Sequence, residues 1–293
     1  MILPKFEFHE PTTVAEACDL MARHRGKARP LAGGTDLLVN MKKKVLSPGH
    51  LVSLGRIPEL SRLERSNGTF WVGAGVTVSD IAASDAVAEV VRALGQGARA
   101  LGTPLIRNLA TIGGNIGSAR PAADLPPSLL IYGAELVLAG ASGERRMPVV
   151  EFFKGPGVTA AREDELITAI VIEVPRGYSG AGYLNLGVRK AQDCNIVNAA
   201  SFLELDEKAE RIRTARIALG SVGPTPLRAP KAEKVLVGEK PCERLFELAA
   251  EAATRDCTPI LDFRGSAEYR RTMVGVLTRR TLDMALAEAR SRR

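Results

Sequence analysis

The sequence predicts an α+β protein with more than one domain. Its 293 residues exceed the usual size of one domain and suit two. Apolar residues make up 45% of the chain and charged residues 25%, so a packed core is expected. In the last third of the chain, strand-like segments come before helix-like segments, and this grouping is typical of α+β domains.

The N-terminal part begins with a clearly marked helix. Thr13-Val14-Ala15-Glu16 has the form of a capping box, and apolar residues follow at helical spacing as far as Met21. A strand over 28–31 is predicted next. A helical turn over 37–44 and a strand over 51–54 complete this part.

The middle part is predicted to alternate between strands and helices. A strand over 70–76 precedes a helix that starts at Thr77. One continuous apolar stripe over 87–101 predicts a single helix. The apolar runs over 129–139 and 167–174 are interpreted as strands.

The last third is predicted to follow a linker over 175–180. Strands are expected over 199–205 and 213–220, where apolar residues predominate. Helices are expected around 245–252 and from residue 269 towards the C-terminus.

Two glycine pairs are the most informative motifs. They lie in Leu31–Asp36, read as LAGGTD, and in Ala110–Ile116, read as ATIGGNI. Glycine pairs permit left-handed backbone and let main-chain N–H groups converge on an anion. Each pair alone is also consistent with a simple tight turn. Together they favour a bound dinucleotide held at its pyrophosphate, with Asp124 as a candidate partner for hydroxyl groups.

Standard nucleotide motifs are not found in the sequence. It has no GxxxxGK[ST] segment, which excludes a P-loop, and no GxGxxG between a strand and a helix, which disfavours a Rossmann fold. The formal charge of +7 suits an anionic ligand or an acidic partner. Aromatic residues make up only 4%, and the basic residues are dispersed, so nucleic acid is not a predicted partner.

The remaining composition predicts a cytoplasmic protein without a membrane span. No apolar run reaches the length of about 18 residues that a span requires, and no signal-peptide core is recognised at the N-terminus. The four cysteines form no CxxC pair and the three histidines no HxxxH motif, so no metal site is predicted. No acid–base dyad or nucleophile stands out, and no catalytic residue is predicted.

Four segments together resemble one known family. They are Leu31–Lys42 (LAGGTDLLVNMK), Ala110–Pro127 (ATIGGNIGSARPAADLPP), Ile217–Pro226 (IALGSVGPTP) and Phe263–Arg271 (FRGSAEYRR). In this order they are similar to the FAD-binding subunits of molybdenum hydroxylases, the family that includes xanthine dehydrogenase and aerobic carbon monoxide dehydrogenase. The first two segments resemble that family's two FAD loops.

The resemblance implies a two-part FAD-binding domain of the vanillyl-alcohol oxidase (PCMH) type over 1–176. Its subdomains would cover about 1–57 and 58–176. A smaller α+β domain of the CO dehydrogenase flavoprotein type would follow over 177–293. The second FAD loop carries no cysteine, so the additional iron–sulfur cluster of some relatives is not expected.

The resemblance also implies which residues contact FAD, and all of them match family motifs. They are Leu31, Ala32, Gly33, Gly34, Thr35, Asp36, Leu37, Ala110, Thr111, Gly114, Asn115, Ser118, Asp124, Leu125, Ile167 and Lys190.

These residues would contact different parts of the cofactor. Residues 32–36 would wrap one side of the pyrophosphate, and residues of 110–118 would wrap the other. Asp124 would accept hydrogen bonds from the ribityl chain, Leu125 would pack near the flavin, and Ile167 would line the pocket.

Lys190 lies in a segment, 189–193, that resembles the loop approaching the flavin ring. A surface salt-bridge loop is the alternative interpretation. Several relatives have a lysine where this chain has Asn185, and Arg120 replaces a usually small residue. Arg120 could face either a partner or the flavin entrance.

The implied function is electron transfer within a heterotrimer. A large molybdopterin subunit would oxidise the substrate, and a small subunit would relay electrons through [2Fe–2S] clusters. This chain would pass them from FAD to NAD⁺, a quinone or another acceptor, and the heterotrimers could pair as dimers. The alternatives are a self-sufficient FAD oxidase or reductase and a scaffold subunit that has lost FAD.

Overall fold

A computed structural model of the chain describes residues 3–189 and 193–292. Its N-terminal part is a parallel three-stranded sheet in the order β1-β3-β2. Two helices connect these strands. The elements are β1 (Glu7–His9), α1 (Val14–Arg23), β2 (Ala28–Leu31), α2 (Leu37–Lys42) and β3 (His50–Ser53).

Helix α1 confirms the prediction made from its capping box. The Thr13 hydroxyl accepts a hydrogen bond from the Glu16 amide at 3.2 Å, and the Glu16 carboxylate accepts one from the Thr12 amide at 2.8 Å. These bonds satisfy amides at the start of the helix that have no intrahelical partner. The helix buries the sulfur-containing residues Cys18 and Met21 of its apolar face.

The middle part is built on a five-stranded antiparallel sheet in the order β4-β5-β10-β6-β7. A short turn of 3-10 helix, Pro58–Ser61, leads into it. The strands of this part, including the two-stranded hairpin β8-β9, are β4 (Leu63–Ser66), β5 (Thr69–Gly73), β6 (Glu135–Gly140), β7 (Gly143–Pro148), β8 (Phe153–Gly155), β9 (Val158–Thr159) and β10 (Leu166–Glu173).

Seven helices of the middle part accompany this sheet in the described residues, and most are short. They are α3 (Val78–Ala83), α4 (Asp85–Val90), α5 (Arg92–Ala100), α6 (Pro104–Arg107), α7 (Ile112–Gly117), α8 (Leu125–Tyr132) and α9 (Val149–Phe152). The principal hydrophobic core lies between the sheet and these helices, with Phe70 and Phe152 fully buried.

Two sequence predictions for this part are wrong. The stripe over 87–101 is not one helix, because the non-helical backbone of Val91 separates α4 from α5. The run over 129–139 is not one strand, because it contains the end of α8, a left-handed Gly133 (φ 64°) and β6. Every residue of α8 is buried, and a helix buried on all sides has no polar face to distinguish it from a strand.

The C-terminal part is an antiparallel four-stranded sheet in the order β11-β12-β13-β14. Its elements are β11 (Ser179–Leu186), β12 (Val197–Leu205), β13 (Ile212–Gly220), β14 (Leu227–Arg228), α10 (Pro230–Leu236), α11 (Glu243–Ala253) and α12 (Ala267–Ser291).

Strand β11 lies in tight contact with helix α12. A Cβ at Gly180 would lie 2.2 Å from the carbonyl oxygen of Ala285, and one at Gly182 would lie 2.7 Å from Cβ of Met284. These glycines belong to a buried strand that sequence reasoning missed, since 175–180 was interpreted as a linker. Tyr183 of the same strand belongs to the principal core, so the C-terminal sheet packs directly on the middle part.

The fold class predicted from the sequence, α+β, is confirmed. The limits 1–176 and 177–293 for the two domains, and the division near residue 57, stay predictions. Within the described residues, no helix is both long enough and apolar enough to cross a membrane.

Candidate flavin-binding site

The two glycine motifs meet in the structure. We call residues 31–37 the first glycine segment and residues 110–118 the second. A Cβ at Gly33 would lie 1.8 Å from the carbonyl oxygen of Leu109 and 3.0 Å from Cα of Ala110. Main chain therefore packs against main chain at this junction, and only glycine fits at position 33.

The first glycine segment begins where β2 ends. Gly34 has a left-handed backbone (φ 70°), which the sequence analysis expected of a glycine turn. Side chains of Leu31 and Leu38 cover Gly34, since a Cβ there would lie 3.1 and 2.9 Å from their terminal methyl carbons. The segment thus turns sharply between β2 and α2 on an apolar support.

The main-chain amides of the first glycine segment are available to a ligand. Among the described residues, no group accepts a hydrogen bond from the amides of residues 33–36. The Asp36 carboxylate, which precedes α2, makes no hydrogen bond that would cap this helix. Consecutive amides without protein acceptors are the usual means by which a backbone binds phosphate oxygens.

The second glycine segment is not the left-handed turn that the sequence analysis expected. Residues 112–117 form helix α7, and neither Gly113 nor Gly114 has a positive φ. A Cβ at Gly113 would lie 2.6 Å from Cβ of Ala74 and 2.8 Å from its carbonyl oxygen. Glycine at 113 is therefore required by close packing against the chain that follows β5.

The amides of the second glycine segment are already bonded within the chain. Ile112 donates to the carbonyl of Val76 at 3.1 Å, and Gly113 donates to that of Ala74 at 2.9 Å. The next two amides, of residues 114 and 115, donate to the hydroxyl and the carbonyl of Thr111 at 3.1 and 2.9 Å. This segment can therefore offer a ligand few main-chain donors.

The second glycine segment has polar side chains that are suited to contact a ligand. The Asn115 side-chain oxygen is buried and has no hydrogen-bond partner in the part of the chain that the structure describes. Such an acceptor is costly to bury without a partner, and it suits a ligand hydroxyl or a water molecule that donates to it. Thr111 is 7% exposed, and its hydroxyl can still donate its proton. Ser118 lies at the C-terminal end of α7, and Ile167 lies 3.8 Å from where a Cβ of Gly117 would be.

Asp124 follows the second glycine segment and is 8% exposed. Its Oδ1 accepts hydrogen bonds from the Tyr183 hydroxyl at 2.9 Å and from the Asn195 amide at 2.7 Å. Burial raises the pKa of Asp124 to about 6, although both hydrogen bonds oppose this shift. In the described part of the chain, nothing donates to Oδ2 of Asp124, which leaves one oxygen for a ligand.

The C-terminal sheet positions Asp124, and this link was not foreseen from the sequence. The side-chain oxygen of Asn195 accepts a hydrogen bond from the Asn185 amide at 2.8 Å, and the side-chain amide of Asn195 donates to Asp124. Asn198 donates to the carbonyl of Ala123 at 3.0 Å. Asn185 thus belongs to a chain of side-chain amides that ends on the buried carboxylate.

Arg120, two residues after the second glycine segment, contacts α2, the helix that follows the first one, at the surface. Its guanidinium donates to the side-chain oxygen of Asn40, on α2, at 3.4 Å. Of the predicted apolar contacts, Leu125 is fully buried at the start of α8, whereas Leu31 and Leu37 are partly exposed at the junction.

Lys190, the last predicted cofactor residue, lies outside the described residues. The chain on either side of it is held by Asp193, whose carboxylate accepts from the Arg189 amide at 2.7 Å and from the Cys194 amide at 2.9 Å. The bond from Arg189 is the main reason that the pKa of Asp193 is lowered.

A basic pocket of about 510 Å³ opens beside this loop. Its lining includes Arg99 of α5 and Arg107 of α6, together with Asn185, Gly187 and Arg189 at the end of β11 and after it. Three guanidinium groups around one concave surface produce a positive field that favours an anionic ligand.

Comparison with known proteins identifies the class of protein. Residues 4–176 match the family model described as FAD binding domain in molybdopterin dehydrogenase. Residues 183–285 match the one described as CO dehydrogenase flavoprotein C-terminal domain. The chain belongs to the FAD-binding subunits of the molybdenum hydroxylase family, and it is an oxidoreductase subunit with FAD as its cofactor.

Individual relatives match this chain over almost its full length. The chain is 36% identical to the carbon monoxide dehydrogenase medium chain of Afipia carboxidovorans, covering 99% of this chain and 100% of that one. It is 34% identical to the glyceraldehyde dehydrogenase medium chain of Sulfolobus acidocaldarius, covering 95% and 97%. The solved carbon monoxide dehydrogenase of Hydrogenophaga pseudoflava superposes with a TM-score of 0.94 at 34% identity, covering 98% and 99%.

Proposed function

We propose that this chain is the electron-transfer subunit of a heterotrimeric molybdenum hydroxylase. It takes electrons from [2Fe–2S] clusters of a small partner subunit and delivers them to NAD⁺, a quinone or another acceptor. A large molybdopterin subunit oxidises the substrate. FAD, when bound, accepts electrons singly or in pairs and so connects one-electron clusters with two-electron acceptors.

The meeting of the two glycine segments carries this proposal. Gly33 approaches the main chain of Leu109 more closely than any side chain would allow, so both segments border one space. The amides of residues 33–36 hold one side of the pyrophosphate. On the other side, Thr111 and Asn115 contribute the hydroxyl and the amide of their side chains.

The remaining site residues orient the rest of the cofactor. The free oxygen of Asp124 accepts hydrogen bonds from ribityl hydroxyls, while Tyr183 and Asn195 fix the carboxylate through its other oxygen. Lys190 serves the flavin ring, and so does the arginine-lined pocket, because positive charge stabilises the anionic reduced cofactor.

An exposed apolar loop supports the partner assignment. Ile260, Leu261 and Phe263 are 68%, 77% and 91% exposed, and they lie within four consecutive positions between α11 and α12. Grouped exposed apolar side chains mark protein–protein contacts more often than solvated surface. We assign this loop to contact with the partner subunits, in a complex that can pair into a dimer of heterotrimers.

The cytoplasm is the proposed location of this complex. The structure gives all four cysteines as free thiols, with Cys194 and Cys242 exposed. Exposed thiols persist in a reducing compartment.

Purification of the native complex tests the function. The expected preparation contains the three subunits, molybdenum, iron and one FAD per copy of this chain, and its substrate bleaches the flavin absorption. Removing the molybdenum subunit should stop bleaching by substrate while an added chemical reductant still bleaches it. Substrate-dependent bleaching by this chain alone would instead identify a self-sufficient flavoenzyme, and a colourless chain that rejects FAD would identify a scaffold.

The substitution Phe263→Ser tests the partner surface. Val45→Ser is the matched control, because Val45 is another exposed apolar residue (66% exposed) that lies outside this loop. Phe263→Ser should weaken subunit association by at least about tenfold, because a central aromatic contact contributes 2 kcal/mol or more in many interfaces. FAD content should stay unchanged in both variants. Equal association of the two variants would remove the loop from the interface.

A further inference from the structure

The histidines of this chain converge on one place. The sequence contains three histidines in 293 residues, and all three, His9, His24 and His50, lie in one cluster. Their nearest nitrogens all lie within 4.8 Å of one another, and each residue is partly buried. Sequence spacing did not predict this cluster, because the residues belong to three different elements.

The N-terminal sheet puts two of these histidines on one face. Strands β1 and β3 are parallel, and Glu7 aligns with His50. Side chains two residues apart on a strand point the same way, so His9 shares the face of Glu7 and His50. Nε2 of His9 lies 3.1 Å from Nδ1 of His50, and a Glu7 carboxylate oxygen lies 3.5 Å from that same Nδ1.

Helix α1 supplies the third histidine from above this face. His24 is the C-cap residue that follows the helix, and its amide donates to the carbonyl of Leu20 at 3.0 Å. Its carbonyl accepts hydrogen bonds from the amides of Lys27 and Ala28, both at 2.9 Å. The backbone at position 24 is therefore fixed, and the imidazole stacks on that of His50 with ring centres 3.7 Å apart.

Three neighbouring imidazoles match the donor set of a borderline transition metal. Zinc binds imidazole nitrogen at about 2.0–2.1 Å, which places two nitrogens of a tetrahedral site about 3.3 Å apart. The separation of 3.1 Å between His9 and His50 is close to that value. Rotation of the His24 ring out of its stack would bring the third nitrogen in, and Glu7 or water would complete four-coordination.

From this arrangement we infer that His9, His24 and His50 form a binding site for a divalent transition metal such as Zn²⁺. The metal joins β1, β3 and the end of α1 and so stabilises the N-terminal sheet. It is separate from the flavin site. His50 begins β3, whereas the first glycine segment follows the other end of β2, about 10 Å away along the strands.

Metal binding by the full-length chain, prepared without a histidine tag and treated with chelator, tests this inference. Titration with Zn²⁺ should give one equivalent, and Co²⁺ should give the intense visible bands of a four-coordinate nitrogen and oxygen site. Mg²⁺ should not compete, since it prefers oxygen ligands. Zn²⁺ should also raise the thermal unfolding midpoint by a few degrees, because it binds only the folded chain.

Variants separate this site from adventitious binding. His24→Gln and His9→Gln should each weaken Zn²⁺ binding by more than about tenfold, since loss of even an indirect partner of a metal site costs 10–100-fold. The control Cys194→Ser/Cys242→Ser removes the exposed thiols and should leave binding unchanged. Unchanged FAD content reports that each variant is folded.

Two results would overturn the inference. One is a wild-type chain that binds less than one equivalent when zinc and protein are equimolar at micromolar concentration. The other is binding that survives both histidine substitutions or depends on the two thiols, because the histidines would then be only a stacked cluster.

Discussion

The first glycine segment presents four amides, those of residues 33–36, for which no described residue supplies an acceptor, whereas the four amides of residues 112–115 in the second segment are bonded within the chain. Glycine serves turning and close approach in the first segment, and packing against Ala74 in the second. Two motifs that look alike in sequence therefore do different work. We therefore expect the first segment to bind FAD through its main chain and the second to bind it through side chains on a rigid support.

The largest effect is expected from Gly33→Ala, which breaks the junction between the segments. The new Cβ would collide with the carbonyl oxygen of Leu109 at 1.8 Å. We expect loss of bound FAD and a fall of about 3 kcal/mol in the free energy of unfolding. Flavin absorbance and urea unfolding measure both.

Gly49→Ala is the matched control, since no atom of the described chain lies within 4 Å of a Cβ at Gly49. It should keep its flavin and its stability. If Gly33→Ala also keeps them, the two segments do not share the close junction described above.

Asp124→Asn should separate binding from stability. Burial raises the pKa of Asp124 from its usual 3.8 to about 6 in the folded chain, so ionisation there costs about 3 kcal/mol at pH 8. Because the folded pKa lies above the unfolded one, this cost grows as pH rises from about 3.8 and is complete above about 6.

The apo form of Asp124→Asn should therefore unfold less readily than wild type at pH 8, with about half of that gain at pH 5. Its FAD affinity should fall, since the ribityl chain loses a carboxylate acceptor. Urea unfolding at both pH values and a flavin titration measure these effects. A gain independent of pH would contradict the assignment of the charge to this buried site.

Asn115→Ala tests whether the second segment binds through side chains. The variant removes a buried oxygen without a partner, so apo stability should stay constant or rise by about 1 kcal/mol. FAD affinity should fall about tenfold, equivalent to about 1.4 kcal/mol. Calorimetric titration with FAD measures the affinity, and affinity equal to that of wild type would show that Asn115 does not face the cofactor.

Thr111→Ala is expected to have the smallest effect. Thr111 caps α7, and loss of such a cap costs about 1 kcal/mol of stability. Thr13→Ala removes the equivalent cap of α1, away from the glycine segments. Both variants should lose similar stability in urea unfolding, but only Thr111→Ala should weaken FAD binding. Equal flavin affinity in the two variants would reduce Thr111 to a purely structural cap.

The sequence was most informative where local chemistry decides the structure. The capping residue Thr13, the left-handed Gly34 and the short strand before it follow from rules that act over a few residues. Family motifs supplied the cofactor and the class of protein.

Contacts between residues that are distant in sequence could not be predicted from local patterns. The amides of Ile112 and Gly113 are occupied because Val76 and Ala74, far away in sequence, supply the acceptors. The support of Asp124 by Tyr183 and Asn195 comes from another sheet. The buried helix α8 carries no polar face that would reveal its period.

Amide hydrogen exchange at single-residue resolution, with and without FAD, tests the contrast between the two segments most directly. The amides of residues 33–36 should exchange rapidly in the apo protein and become protected when FAD binds. Those of residues 112–115 should be protected in both states, because they are bonded within the chain. Amides 33–36 that stay unprotected in the FAD complex would contradict the account.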